Sequence, residues 1–189
     1  RNRLQAWLPL IVLAALVLAV GLYDRAFFST SNFLSVTSDT MTLFLMASGV
    51  TMVIMMGGID LSVQAVASMA SCILAAYLQR LGILAIPLAV FGGALAGFAG
   101  GFASTRLRIP SFIATLAVSG VVVSAGNWFS ETRSVNIPAE LSASYLDWAV
   151  GDALGVPNEI WVGAVFLIIL SAVLQLTPFG RLVRGIGAQ

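Results

Sequence analysis

The chain has 189 residues, 59% of them hydrophobic and only 9% charged, with a mean hydropathy of +1.01 and a formal net charge of +1. A water-soluble domain carries about a quarter charged residues, so this balance excludes one, and the small net charge excludes nucleic-acid binding and a basic membrane-surface patch. A lipid-embedded backbone must satisfy its own polar groups, and long apolar runs select helices over a closed barrel. The expected fold class is therefore all-α, a polytopic transmembrane helical bundle forming a single domain over 1–189.

Arg1 and Arg3 precede the first apolar run, 5–22, which reads as an uncleaved span because it is long and lacks a small-x-small cleavage site. Further runs follow at 41–56, 63–79, 82–104, 111–129 and 159–177, which makes six expected spans, each near the roughly 20 residues a bilayer requires. Breakers separate them: Asp24-Arg25, Gly57-Gly58, Arg80 with Gly82, Arg106 to Pro110, and Pro157-Asn158. Cys72 has no second cysteine to pair with and reads as a small packing residue. In the fourth run Gly93, Gly97 and Gly101 recur at four-residue spacing beside Gly92, Ala96 and Gly100. Small residues let helix backbones approach in lipid, so this stripe predicts a helix-packing face, either within the chain or across a dimer.

The segment 130–158 is the one long connection, with four acids (Glu131, Glu140, Asp147, Asp152) against Arg133. Leu141, Tyr145 and Trp148 recur at i, i+4 and i+7 after Pro138, which predicts a short amphipathic helix at the membrane interface. It is read either as a membrane-resting connector or as a docking surface for an external protein. The chain starts at Arg1 rather than Met and stops after a basic turn, so both ends are read as trimmed.

Threading six spans with the N-terminus inside puts Arg1, Arg3, Arg106, Arg108, Arg181 and Arg184 on the cytoplasmic side and Arg25, Arg80 and Arg133 outside, as the positive-inside rule requires. Asp24, Asp39, Glu131, Glu140, Asp147, Asp152 and Glu159 fall outside, and Asp60 alone falls on the other side.

The chain has no His, no Cys pair and no Gly-rich phosphate loop ending in Lys, so no catalytic, cofactor or metal site is expected, and any ATP would be bound by another chain. The sharpest local feature is Gly57-Gly58-Ile59-Asp60-Leu61-Ser62, a helix-breaking pair followed by an acid and a hydroxyl between apolar runs. A carboxylate beside hydrocarbon costs about 2.5–3.5 kcal/mol on insertion scales, so Asp60 should face protein or a watery cavity. Asp60 and Ser62 are placed either to cap the helix that restarts there or to line and gate a pathway. Other polar candidates along the spans are Ser48, Thr51, Gln64, Ser68, Ser119, Ser124 and Asn127. Gln64 and Asn127 are favoured as pathway residues, because Ser and Thr in membrane helices commonly bond their own backbone.

The run Gly57 to Val63 resembles the signature of monosaccharide ABC-importer permeases, the ribose, xylose, arabinose and galactose type. The resemblance continues in Arg108-Ile109-Pro110-Ser111-Phe112-Ile113-Ala114-Thr115-Leu116, and in Thr177-Pro178-Phe179-Gly180-Arg181 with Gly185-Ile186-Gly187. Gln64 departs from it, standing where the family usually has glycine, and the family's short cytoplasmic coupling helix would begin just after Gln189. The resemblance implies the N-terminal portion of a multi-pass permease of the bacterial inner membrane. It also implies a second permease copy, cytoplasmic ATPase subunits and a periplasmic sugar-binding protein as partners. Such a permease alternates between two access states and catalyses no bond change. The rival readings are an ion-coupled secondary transporter of the broken-helix kind and a non-transporting structural subunit.

Overall fold

The structure is a computed structural model that describes residues 3–187; Arg1 and the segment expected beyond Gln189 lie outside the described residues. Six helices have membrane-spanning length: α1 (Arg3–Tyr23), α2 (Thr30–Met55), α3 (Val63–Leu81), α4 (Ala85–Thr105), α5 (Ser111–Phe129) and, after two short helices, α8 (Asn158–Leu176). The short ones are α6 (Ala139–Tyr145) and α7 (Asp147–Val150), and α9 (Pro178–Gly187) closes the chain. Strands β1 (Asp152–Ala153) and β2 (Val156–Pro157) form a small antiparallel hairpin. Its turn places Leu154 (φ 57°) and Gly155 (φ 74°) both in the left-handed region, as a two-residue type I′ turn requires.

All six expected spans are helices. α5 has the bounds read from the sequence because Pro110 starts it and polar Ser130 ends it. α2 corrects the expectation, since it begins at Thr30 and not near 41. Its first turns, Thr30 to Thr40, are rich in hydroxyls, and the Ser29 side chain accepts from Asn32 N–H as an N-cap. A hydrophobicity reading skips that half. α9 is a second correction: the basic turn after Thr177 is a ten-residue helix, opened by Pro178 at a position where a missing N–H costs nothing.

The helices fall into two groups. α3, α4 and α5 pack tightly on one another, whereas α2, α8 and α9 form a second set that meets α3 only sparsely. The main core is Ala65, Met69, Ile73, Ala89, Ala96 and Val122, all in the first group. Backbones approach closely there: a Cβ added to Gly126 of α5 would lie 3.4 Å from the Met69 Cα of α3.

The glycine stripe on α4 is set differently from the sequence expectation. Gly93 faces Val66, but Cβ atoms added at Gly97 and Gly101 would meet nothing within 4 Å, and both residues are exposed. The seam instead uses Ala85, Ala89, Ala96 and Gly100, with Gly92 against Ile73. The 3.6-residue turn explains the offset, because a strict spacing of four drifts around the helix and off the contact face.

The connection after α5 also departs from a single interfacial helix. Leu141 and Tyr145 of α6 pack with Leu78, Ala85 and Leu146 over the α3–α4 turn, and Tyr145 covers Gly82. Trp148 belongs to α7, is exposed, and donates its indole N–H to the Tyr145 carbonyl at 3.0 Å. The three residues of the expected apolar face are thus divided between a protein-covering helix and an exposed one. Following the chain direction, Arg106, Arg108, Arg181 and Arg184 share one end of the bundle with Asp60, and the acids of 130–159 share the other with Asp24 and Asp39.

Candidate functional site

The segment between α2 and α3 is built from two glycines with separate jobs. Gly57 N–H donates to the Ile54 carbonyl at 2.9 Å and Gly58 N–H to the Val53 carbonyl at 2.9 Å, the paired bonds of a Schellman C-cap. That motif needs a left-handed residue, supplied by Gly57 at φ 79°. Gly58 serves space instead: a Cβ there would sit 3.0 Å from a Val53 methyl and 3.7 Å from Ser111 Oγ.

The chain then runs extended to Ser62 and is held by α5. Ile59 N–H donates to Ser111 Oγ at 3.0 Å, and Leu61 N–H donates to Thr115 Oγ1 at 3.1 Å. The Thr115 hydroxyl lies 2.9 Å from the Ser111 carbonyl and 3.3 Å from that of Ile59, either of which it can donate to. Thr115 is only 7% exposed. Two backbone donors with no helix or sheet partner are thereby satisfied by hydroxyls one helical turn apart.

Asp60 and Ser62 form a compact unit inside this segment. Ser62 donates both its N–H, at 2.8 Å, and its hydroxyl, at 2.7 Å, to Asp60 Oδ1. This is an Asx-type turn leading into α3. Ser62 occupies the N-cap position of α3 but makes no side-chain cap bond, because its hydroxyl is turned back to Asp60. The expected capping role thus takes an indirect form: Asp60 fixes Ser62, whose carbonyl accepts the first α3 bond, from Val66 N–H at 2.9 Å.

The pathway candidates are spread along the two helices that leave this junction. Gln64 lies one residue into α3, exposed and continuing a polar face through Ser68, Ser71 and Gln79. Asn127 lies at the far end of α5, exposed, beside Trp128. The structure therefore groups Asp60 with Ser62 and leaves Gln64 nearby, but it does not bring Asn127 to them. Ser48, Thr51 and Ser124 donate to carbonyls of their own helices at 2.8, 2.7 and 3.0 Å; Ser68 and Ser119 make no such bond among the described residues.

Sequence reasoning singled out neither Ser111 nor Thr115 as functional, although both lie in the second resemblance block. The available signal was a pair of hydroxyls at i and i+4 opening an otherwise apolar helix. The third block reaches the same end of the molecule, where α9 packs on α2 and a Cβ at Gly187 would overlap the Met55 carbonyl. Three blocks distant in sequence thus converge on the Met55–Ser62 turn.

The chain is thus an all-α bundle of membrane-length helices, with a hydroxyl-clamped turn at one end and an exposed polar face on α3. Residues 32–189 match the family described as branched-chain amino acid transport system / permease component, and the chain belongs to that family. It is 30% identical over 189 residues to the ribose import permease protein RbsC of Haemophilus influenzae, covering 97% of this chain and 57% of that protein. The Escherichia coli K12 protein of the same name is 27% identical over 190 residues, covering 97% and 59%. The autoinducer 2 import system permease protein LsrC of Yersinia pseudotuberculosis is 30% identical over 151 residues, covering 74% of this chain and 43% of the relative. The chain thus spans under three-fifths of the length of these relatives. No solved structure matches it.

Proposed function

We propose that the chain is part of the membrane-spanning permease of an ATP-driven importer that carries a monosaccharide or a similar small polyol across the bacterial inner membrane. The observation that carries this reading is the open face of α3, where Gln64, Ser68, Ser71 and Gln79 line up on a helix whose opposite face, through Ala65, Met69 and Ile73, is core. Ser71 donates to the Ala67 carbonyl at 3.0 Å, but a lipid-facing stripe has no use for the two amides and the Ser68 hydroxyl, whereas a water-filled path for a neutral polyol needs groups that both donate and accept. The ribose-import and autoinducer-2-import relatives support the cargo class.

In this reading the Arg106, Arg108, Arg181 and Arg184 end, and with it the N-terminus, faces the cytoplasm, in keeping with the positive-inside rule. ATP is hydrolysed on separate subunits, a second permease copy completes the path, and a periplasmic sugar-binding protein delivers cargo to the acidic end. Asp60, with Ser62, holds the inner turn of the pathway in shape, and Gln64 is the first polar group past it. The test is uptake into proteoliposomes by the full-length permease with its ATPase and binding protein. Flux should require ATP, and Gln64→Leu should lower it at least fivefold. Flux driven by an ion gradient without ATP would favour a secondary carrier instead, and no flux would favour a structural subunit.

A further inference from the structure

At the acidic end, the C-terminal turns of α3 and α5 and the segment 130–136 enclose an open cleft of about 990 Å³. Its aromatic wall is continuous: Tyr77 and Phe129 meet edge-on at 6.1 Å between ring centres, and Trp128 meets Phe129 at 5.1 Å. Trp128 is 74% exposed, so much of its ring is open to an occupant. The polar lining includes Arg80, Asn127 and Asn136, and among the described residues none of these side chains, nor the Tyr77 hydroxyl, makes a hydrogen bond within the protein.

The rim carries a second signal. Glu131 (φ 51°) and Thr132 (φ 58°) are consecutive non-glycine residues in the left-handed region, a conformation that surrounding structure must impose and that clusters at ligand sites. The turn is held by Thr132 N–H donating to the Asn127 carbonyl at 2.8 Å and Arg133 N–H to the Ser130 carbonyl at 2.9 Å. The strained turn therefore tethers the 130–136 wall to the residue that presents the Asn127 amide.

We infer that this cleft is a transit site for a neutral polyhydroxylated solute at the outer mouth, an inference that rests on the importer reading above. The chemistry of the lining selects the class. Two primary amides and a phenol each donate and accept, as hydroxyl groups do, and Arg80, Arg133 and Glu131 add donors and an acceptor that a hydroxyl can also meet. The apolar C–H face of a sugar ring lies against an aromatic face such as that of Trp128.

The experiment uses the full-length permease with its ATPase and binding protein in proteoliposomes, offered D-ribose, D-xylose, D-galactose or L-leucine. Trp128→Ala and Asn127→Leu should each lower sugar uptake at least fivefold while ATP hydrolysis stimulated by the loaded binding protein is retained, and Trp128→Phe should keep uptake within twofold of wild type. Unchanged uptake in Asn127→Leu and Trp128→Ala overturns the transit site and leaves the importer reading standing. If Trp128→Ala fails to assemble, Asn127→Leu and Asn136→Ala decide alone. ATP-dependent L-leucine uptake in place of sugar overturns the polyol assignment, and wild-type protein that moves none of the sugars in response to ATP fails the importer reading itself.

Discussion

Replacing Thr115 by Val removes one oxygen at nearly constant volume, and its cost can be worked from the junction. The Leu61 N–H, bonded at 3.1 Å to Thr115 Oγ1 beside a residue only 7% exposed, loses its partner. Leu61 is itself 50% exposed, so the loss is that of a net hydrogen bond, about 0.5–1.5 kcal/mol, and not the full penalty of a buried orphan. Thr115→Ser keeps the oxygen and loses one methyl, worth about 0.8 kcal/mol; that methyl lies 3.6 Å from where a Cβ on Gly100 would sit. Both variants should therefore be less stable than wild type, and only Val should free the Leu61 amide. Reversible unfolding of the full-length protein in bicelles reads the differences, and amide exchange at Leu61 should quicken roughly 2- to 13-fold in the Val variant, the factor equivalent to about 0.5–1.5 kcal/mol. If Val unfolds like wild type, or Ser quickens Leu61 exchange as much as Val does, the hydroxyl does not hold the turn.

Asp60→Asn retains an oxygen that can accept both Ser62 donors at the present 2.8 and 2.7 Å, so thermal stability and ATP-driven uptake should stay near wild type, whereas Asp60→Ala should lose about 1 kcal/mol; a stable but inactive Asn variant would reassign Asp60 to charge-dependent gating. Gly100→Leu should destabilise by about 1–3 kcal/mol through overpacking against Thr115 and Val118, while Gly97→Leu, which meets nothing within this chain, should fold normally. Detergent melts of the two variants check the offset of the seam, and equal losses would place Gly97 in a contact made by other parts of the assembly.

The spans were legible because apolar runs bounded by Pro, Gly or Arg leave helices little choice in lipid, and α3 and α5 start where Ser62 and Pro110 say they should. Two elements hid from that logic. The first half of α2 is written in Ser, Thr and Asn, and α9 is short, basic and stabilised by packing its small residues onto Leu174 and Met55. Both are helices by tertiary contact and local capping rather than by hydrophobicity. At the junction, the glycine pair and Asp60 stood out locally, but the clamp from Ser111 and Thr115 spans more than fifty residues of sequence, and nothing in local spacing says which loop a hydroxyl will face. Within this chain the glycine stripe packs only at Gly93, because regular spacing marks a surface where close approach is possible, not the helix that approaches.

The division of the bundle into two groups bears on how the chain enters the membrane. The first group, α3 to α5, is continuous in sequence, so its helices can assemble as they emerge. α2 differs, because its partner α8 begins about a hundred residues after α2 ends, and at synthesis rates of about 5–20 residues per second α2 waits in lipid for roughly 5–20 s. It is a helix with many hydroxyls to wait with. Thr37, Thr40, Ser48 and Thr51 each donate to the carbonyl four residues back, at 2.7, 2.6, 2.8 and 2.7 Å. Every one of those donors is satisfied before any neighbour arrives, so α2 can be released laterally as a lone span and recruited later by α8 and α9.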